Sequence, residues 1–218
     1  MDDVTRQEKE RLLWDKQAHS YDRRNLKVYA NAYELSIQKV RAVLSPEHEV
    51  LEIGCGTGII SLGIAPLVKS VVATDISPQM IAVAKSKAGS ASITNVEFRV
   101  HDGYALPYDD QAFDAILLFN VLHFVKEPTA LLHEAHRLLK PSGYLASATD
   151  CYAELVPLPM RIGLGIQRIL NAIGVIPFMG YYKKEDVHQL LEQCAFAIVE
   201  TDVLHPAPVN YYVLARKG

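Results

Sequence analysis

Val50-Leu51-Glu52-Ile53-Gly54-Cys55-Gly56-Thr57-Gly58 is the stretch on which the fold turns. An apolar, strand-like run enters three glycines spaced by two, and a helical pattern follows from Ile59. Glycine at a strand-to-helix turn permits positive φ and lets a ligand approach the backbone closely. The helix start behind it presents unpaired N–H groups that favour a carboxylate or a phosphate. A dinucleotide turn of the G-x-G-x-x-G type needs its third glycine at position 59, which is Ile59 here. The spacing is G-x-G-x-G instead, with Glu52 ahead of it. Taken alone, such a turn also fits a purely structural role.

Outward from this turn, short β-branched runs alternate with helical patterns. The runs are Glu49–Ile53, Ser70–Thr74, Val96–Val100, Ala115–Phe119 and Tyr144–Ala148, and helical stretches fall at Ile59–Leu67, Ser77–Lys87 and Thr129–Leu139. This alternation predicts an α/β fold: a doubly wound, mostly parallel sheet covered on both faces. Ser77-Pro78 is an N-cap followed by proline at the first helical position. Lys140-Pro141-Ser142-Gly143 ends a helix and turns the chain into the next strand. The last two runs, Ala195–Val203 and Val209–Ala215, are joined by a link too short for a crossover helix, so they are expected to be antiparallel.

Two segments flank or interrupt the alternation. Residues 1–44 read as a polar helical cover, and residues 45–218 as the main domain with an inserted lid at about 151–183. In the lid, Ile162, Ile166, Ile169, Leu170 and Ile173 share one helical face, while Arg161, Gly165, Arg168 and Ala172 fall on another. The apolar residues from Leu155 to Met179 are candidates to line a cavity for an apolar ligand, or simply to pack on the sheet. Arg161 and Arg168 leave a peripheral contact with an anionic membrane open, beside the plainer reading of a solvated basic face.

Composition sets the outer limits. Across 218 residues, 50% hydrophobic and 22% charged content is that of a globular protein, and a net charge of −3 gives no global field to attract nucleic acid. The three cysteines are far apart and none lies in a CxxC pair, which favours a reducing, cytoplasmic setting and disfavours structural zinc. The region Leu155–Gly180 carries charges and prolines that make it a poor transmembrane segment.

Acidic residues close the next two strands as well. Asp75 ends the second, where a doubly wound sheet would put a carboxylate beside the first turn, able to accept from a ribose diol. Asp102-Gly103 follows the third in the same way, although it could be a turn former alone.

Residues 50–58 (VLEIGCGTG), 71–80 (VVATDISPQM), 101–125 (HDGYALPYDDQAFDAILLFNVLHFV) and 138–145 (LLKPSGYL), taken in order, resemble a class I S-adenosylmethionine-dependent methyltransferase. The similarity is greatest to the small-molecule branch containing ubiquinone and menaquinone C-methyltransferases. It implies a seven-stranded Rossmann-like sheet with the last strand antiparallel, S-adenosylmethionine as cofactor and S-adenosylhomocysteine as product. It places Gly54, Cys55, Gly56, Thr57 and Gly58 against the methionine portion, with Glu52 ordering the turn. It assigns Asp75 to the ribose, Ile76 and Met80 to the adenine face, and Asp102 to the adenine amino group beside Gly103 and Tyr104. Asn120 would lie near the methionine moiety, and Tyr21 of the AHSYD segment would close over the site.

Methyl transfer from a sulfonium is an in-line displacement that chiefly needs alignment and exclusion of water. No metal is required, and the acidic metal cluster of catechol-type methyltransferases is missing from Leu117–Phe124. If the acceptor needs a base, His123 is the first candidate, with His19 and Tyr21 behind it. The Asn/Asp-Pro-Pro-Tyr signature of DNA amino-methyltransferases is absent after Phe119, which leaves a small organic molecule as the expected acceptor. The rival readings are a catalytically silent cofactor-binding protein and a nicotinamide-dependent oxidoreductase; Ile59 counts against the second.

Overall fold

A computed structural model describes residues 3–154, 156–173, 176 and 178–218. Seven strands form one sheet: β1 (Glu49–Ile53), β2 (Ser70–Asp75), β3 (Val96–Val100), β4 (Phe113–Phe119), β5 (Leu139–Cys151), β6 (Phe196–Pro206) and β7 (Val209–Lys217). Their order is β3-β2-β1-β4-β5-β7-β6, with β7 antiparallel to both its neighbours and every other pairing parallel. The helices are α1 (Asp3–Arg41), α2 (Ile59–Ile64), α3 (Pro78–Ser90), α4 (Pro128–Leu138), α5 (Leu158–Ala172) and α6 (Lys184–Gln193).

Because both faces of the sheet are covered, alternate residues of each strand feed two separate cores. Val50, Ala73, Ala115, Leu117 and Tyr212 pack under α2, α3 and the second half of α1. Leu51, Ile116, Leu118, Leu145 and Val213 pack under α4 and α6. The chain reverses its winding between β1 and β4, since β1 pairs β2 on one side and β4 on the other. A crevice opens beyond the carboxyl ends of the strands at such a switch point, and ligands of open α/β sheets sit there.

The sequence-derived strand and helix positions hold, with instructive departures at the ends. Pro141-Ser142-Gly143 does turn the chain, with Ser142 at φ 60, but it does so as a bulge inside β5. Leu139 already pairs with Phe113 before the bulge, and Tyr144 resumes pairing with Ala115 after it. The polar N-terminal segment is a single helix of 39 residues.

The inserted helix α5 departs most from expectation. Its isoleucines face solvent: Ile162, Ile166 and Ile169 are 60%, 56% and 64% exposed, and no residue of α5 is fully buried. Met160, Leu164, Gln167, Leu170 and Asn171 form its half-buried side. Leu155, named among the cavity-lining candidates, lies outside the described residues.

Candidate functional site

The glycine turn after β1 is stitched to the end of β2. Gly54 and Cys55 N–H both donate to the Thr74 carbonyl, at 2.7 and 2.8 Å. Gly54 adopts φ +74, and a Cβ there would stand 2.4 Å from Val121 Cγ2, so both conformation and space demand glycine. Gly56, at φ +52, has nothing within 4 Å of where its Cβ would be. That open side faces a cleft enclosing about 930 Å³, counting its mouth, lined by residues from every neighbouring strand end.

The cleft floor comes from Ile53, Gly54 and Gly56 after β1 and from Phe119, Asn120 and Val121 at the end of β4. Asp75 and Ile76 after β2, Met80 of α3, and His101, Asp102 and Tyr104 after β3 build one wall. Gln7, Glu10, Trp14 and Tyr21 of α1 cover it. The structure thus gathers eight of the sequence-predicted residues around one space: Gly54, Gly56, Asp75, Ile76, Met80, Asp102, Tyr104 and Asn120, with Tyr21 above them.

Asp75 accepts from the N–H of Gly56 and of Ser77, each at 2.9 Å, so backbone donors fix both of its oxygens. Burial raises its pKa, and those two N–H groups oppose the rise. A carboxylate has about four lone-pair sites, so two remain for a diol. The N-cap of α3 is Ser77, not Asp75: its Oγ accepts from Met80 N–H at 3.0 Å, which leaves Asp75 for a ligand. Asp102 accepts from Tyr104 N–H at 3.1 Å and from Gln7 Nε2 at 3.3 Å.

Asn120 lines the cleft in a left-handed conformation, φ 59, with its N–H on the Ala148 carbonyl. Its side chain belongs to a largely buried chain of hydrogen bonds that runs inward from the cleft. Asn210 Nδ2 donates to Asn120 Oδ1 and to Asp150 Oδ1, both at 2.7 Å, and Tyr152 donates its hydroxyl to Asp150 Oδ2 at 3.0 Å. Because a carboxylate only accepts, the atom of Asn210 facing it must be nitrogen, and the atom of Asn120 facing that nitrogen must be oxygen. Asn120 therefore keeps its amide N–H₂ as the remaining end.

Other predicted residues serve the site without lining it. Glu52 is buried and accepts from the Ser61 hydroxyl, tying β1 to α2. Burial pushes its pKa up to about 8. Thr57 turns away from the cleft and donates to Asp22 of α1. Cys55 is buried with its thiol pKa raised by desolvation, and Gly58 and Gly103 support close packing.

The three base candidates diverge. Tyr21 lies in the cleft, 3.4 Å from the Tyr33 hydroxyl, and burial raises its phenol pKa. His19 is exposed on α1 and does not line the cleft. His123 is buried outside the lining, its Nδ1 accepting from Asp150 N–H at 3.4 Å. Burial lowers its pKa, so it is neutral with that lone pair engaged.

Several site residues escaped the sequence reading. Trp14 meets Phe124 edge to face, 4.9 Å between ring centroids, joining the cover to the loop after β4. Asp15 accepts from the Ser77 hydroxyl at 2.6 Å and from Gln79 N–H at 3.2 Å, completing the N-terminal cap of α3 from 62 residues away. Asp22 accepts from Lys87 at 2.8 Å. The sequence signal for these ties was slight: acidic residues spaced by seven, Asp15 and Asp22, on one side of a polar helix.

Comparison with known proteins agrees with this arrangement. Residues 51–147 match the family described as "Methyltransferase domain". The demethylmenaquinone methyltransferase of Tropheryma whipplei is 28% identical over 201 residues, covering 85% of this chain and 82% of that protein. The ubiquinone biosynthesis O-methyltransferase of Xanthomonas oryzae is 37% identical over 101 residues, covering 46% of this chain and 42% of that protein. The chain spans about half the length of several other curated relatives it matches. The fold of a methyltransferase from Aquifex aeolicus superposes with a TM-score of 0.69 at 20% identity, covering 94% of this chain and 98% of that one. With its sheet order, its glycine turn and its acidic strand ends all in place, the chain belongs to the class I S-adenosylmethionine-dependent methyltransferases.

Proposed function

We propose that this protein moves a methyl group from S-adenosylmethionine to a small, apolar, quinone-type ring. The observation that carries the cofactor half is Asp75, a carboxylate in the cleft whose two oxygens are already oriented by Gly56 and Ser77 N–H. The open face of Gly56 leaves room for backbone contact where a side chain would intrude. Asp75 would hold the ribose hydroxyls, Ile76 and Met80 the adenine face, and Asp102 the adenine amino group. The acceptor half is supported by relatives named for demethylmenaquinone and ubiquinone biosynthesis, and by Phe119, Val121, Phe124 and Trp14 around the β4 end of the cleft.

When bound, S-adenosylmethionine supplies a methyl on a positively charged sulfur that is already activated for displacement. The protein's task is then alignment and exclusion of water, and holding two reactants in register is worth on the order of 7–11 kcal/mol. Trp14 and Tyr21 of α1 close the cleft from above, while Asn120 presents its amide N–H₂ with the opposite end locked by Asn210. Tyr21, with its pKa raised, stays a hydroxyl donor near neutral pH. His123 is neutral and its Nδ1 is occupied, so the proposal asks it to hold the β5 backbone at Asp150 rather than to remove a proton.

The test uses purified protein with methyl-labelled S-adenosylmethionine and demethylmenaquinone or a demethylated ubiquinone precursor in detergent. Label should enter the quinone with wild type. Asp75→Asn should weaken S-adenosylhomocysteine binding at least about tenfold, since a hydrogen bond to a charged group contributes roughly 1.5–3 kcal/mol. Binding of NADH in preference to S-adenosylhomocysteine would overturn the cofactor assignment. Labelling of a polar acceptor but never a quinone would overturn the acceptor.

A further inference from the structure

The outward isoleucines of α5 are the largest anomaly on the surface. Eleven large hydrophobic side chains are strongly exposed among the described residues, and five of them, Leu158, Ile162, Ile166, Ile169 and Ile173, lie on α5 or at its C-cap. At 100° per residue they fall within an arc of about 80°, a continuous stripe along the helix. Soluble helices turn such a stripe to the core and leave polar residues outside. Here the isoleucines are out, and the half-buried side mixes Met160, Leu164 and Leu170 with Gln167 and Asn171. Asn171 anchors that orientation, donating from Nδ2 to the Met179 carbonyl at 2.7 Å.

Charge identifies what this face meets. Residues 151–183 carry three basic side chains, Arg161, Arg168 and Lys183, against one acidic, Glu154, in a chain whose net charge is −3. None of the acidic residues is in α5, and both of its arginines project along one flank of the stripe. Arg168 lies over the Tyr181 ring, 4.8 Å from the guanidinium carbon to the centroid, and both arginines remain exposed. The helix has 15 residues, about 22 Å at 1.5 Å per residue, too short for a hydrocarbon core of about 30 Å. Among the described residues, no helix is long and apolar enough to cross a membrane. An apolar face flanked by arginine on a helix of this length suits an in-plane position at a bilayer surface.

We propose that α5 docks this protein onto an anionic lipid bilayer, with the isoleucine stripe in the acyl boundary and Arg161 and Arg168 among the headgroups. This deepens the acceptor reading above, since a quinone-type acceptor is dissolved in lipid, and the docking surface would place the cleft beside its supply. Tyr181, under Arg168, packs against Tyr152, whose hydroxyl reaches Asp150 of the network behind Asn120. The docking helix is therefore joined by side-chain contacts to the β4–β5 end of the site.

The experiment is flotation of the full chain with vesicles of phosphatidylcholine alone and of phosphatidylcholine mixed with phosphatidylglycerol. Wild type should float with the anionic vesicles and much less with the neutral ones. Ile162→Gln with Ile169→Gln should weaken partitioning at least about tenfold, given the apolar area withdrawn from lipid. Arg161→Gln and Arg168→Gln should each weaken binding to anionic vesicles about fivefold and flatten its salt dependence. All four side chains are outside the cleft, so S-adenosylhomocysteine affinity should stay at the wild-type value in every variant, which checks folding. Absence of wild-type protein from both vesicle fractions at low salt would overturn the proposal. So would a concentration-dependent dimer in sedimentation velocity that dissolves on Ile162→Gln with Ile169→Gln, since the stripe would then be covered by a second copy. Vesicle binding is read without any methyl transfer, so its outcome is independent of whether the acceptor proves to be a quinone.

Discussion

Replacing Glu52 by glutamine tests the electrostatics beneath the glycine turn. Glu52 is 2% exposed, and burial pushes its pKa from 4.5 up to about 8; the Ser61 hydroxyl and N–H work against the shift, and the charge of Asp75 adds to it. The folded protein therefore holds a proton that the unfolded chain releases above about pH 4.5. Between that pH and about 8 the native state binds more protons, so stability falls as pH rises, by about 1.4 kcal/mol per unit where one full proton separates the states. Integrated from pH 5 to 7.5, the loss comes to about 3 kcal/mol. For a domain of this size that corresponds to a Tm change on the order of 6–12 °C. Glu52→Gln keeps an oxygen for the Ser61 hydroxyl and has no proton to lose. Its Tm advantage over wild type should therefore widen steadily from pH 5 to 7.5 and level off above pH 8. His123, buried and neutral, has a lowered pKa and contributes the opposite slope below about pH 6.5. Asp75 shifts in the same direction as Glu52. Both groups remain in both proteins, so the difference between the two Tm curves chiefly reports Glu52. Thermal unfolding followed by circular dichroism from pH 5 to 8.5 is sufficient. Parallel curves would mean that Glu52 is ionised in the fold throughout, and the account of its buried proton would be wrong.

Gly54→Ala should cost about 1–2 kcal/mol for the left-handed backbone and about 1–3 kcal/mol for the clash with Val121. Adding Val121→Ala should recover the second part only, and an unchanged Tm in the single variant would remove the steric argument. Asn210→Leu deprives Asn120 and Asp150 of a shared donor and should destabilise the fold by about 1–3 kcal/mol. It should also lower turnover more than it raises the Kd for S-adenosylhomocysteine; equal turnover to wild type would show that Asn120 needs no anchoring.

What the sequence disclosed and what it hid divide along the distance over which the cause acts. The glycine turn, Asp75 at a strand end and the Ser77-Pro78 helix start are local patterns, and the fold brings them together because strand ends in one parallel sheet share an edge. His123 looked like a base because it follows β4, but the closing of β5 over it decides its environment, and that pairing is tertiary. Asp15 capping α3 and Asn210 locking Asn120 act across 62 and 90 residues, where periodicity carries no information. For α5, the period of 3.6 located the isoleucine stripe correctly and was silent on its direction. Orientation depends on what the helix rests against, and Asn171 on the Met179 carbonyl is a contact no amphipathic pattern anticipates.

The long N-terminal helix brings these local and distant causes together. Asp15 completes the cap of α3 beside Asp75, Asp22 takes the Thr57 hydroxyl one residue beyond Gly56, and Gln7 reaches Asp102. Trp14 at the same time meets Phe124 at the opposite rim. The cover is thus fastened to the very turns that would contact the cofactor, by hydrogen bonds that are part-buried or exposed. Each of these bonds ends on an aspartate, and a hydrogen bond to a charged group contributes about 1.5–3 kcal/mol, so together they hold the cover over the cleft. Any ligand that steadies Asp75 and Asp102 would also steady the partners of Asp15 and Gln7. By linkage, it would favour the closed cover that excludes water from the displacement.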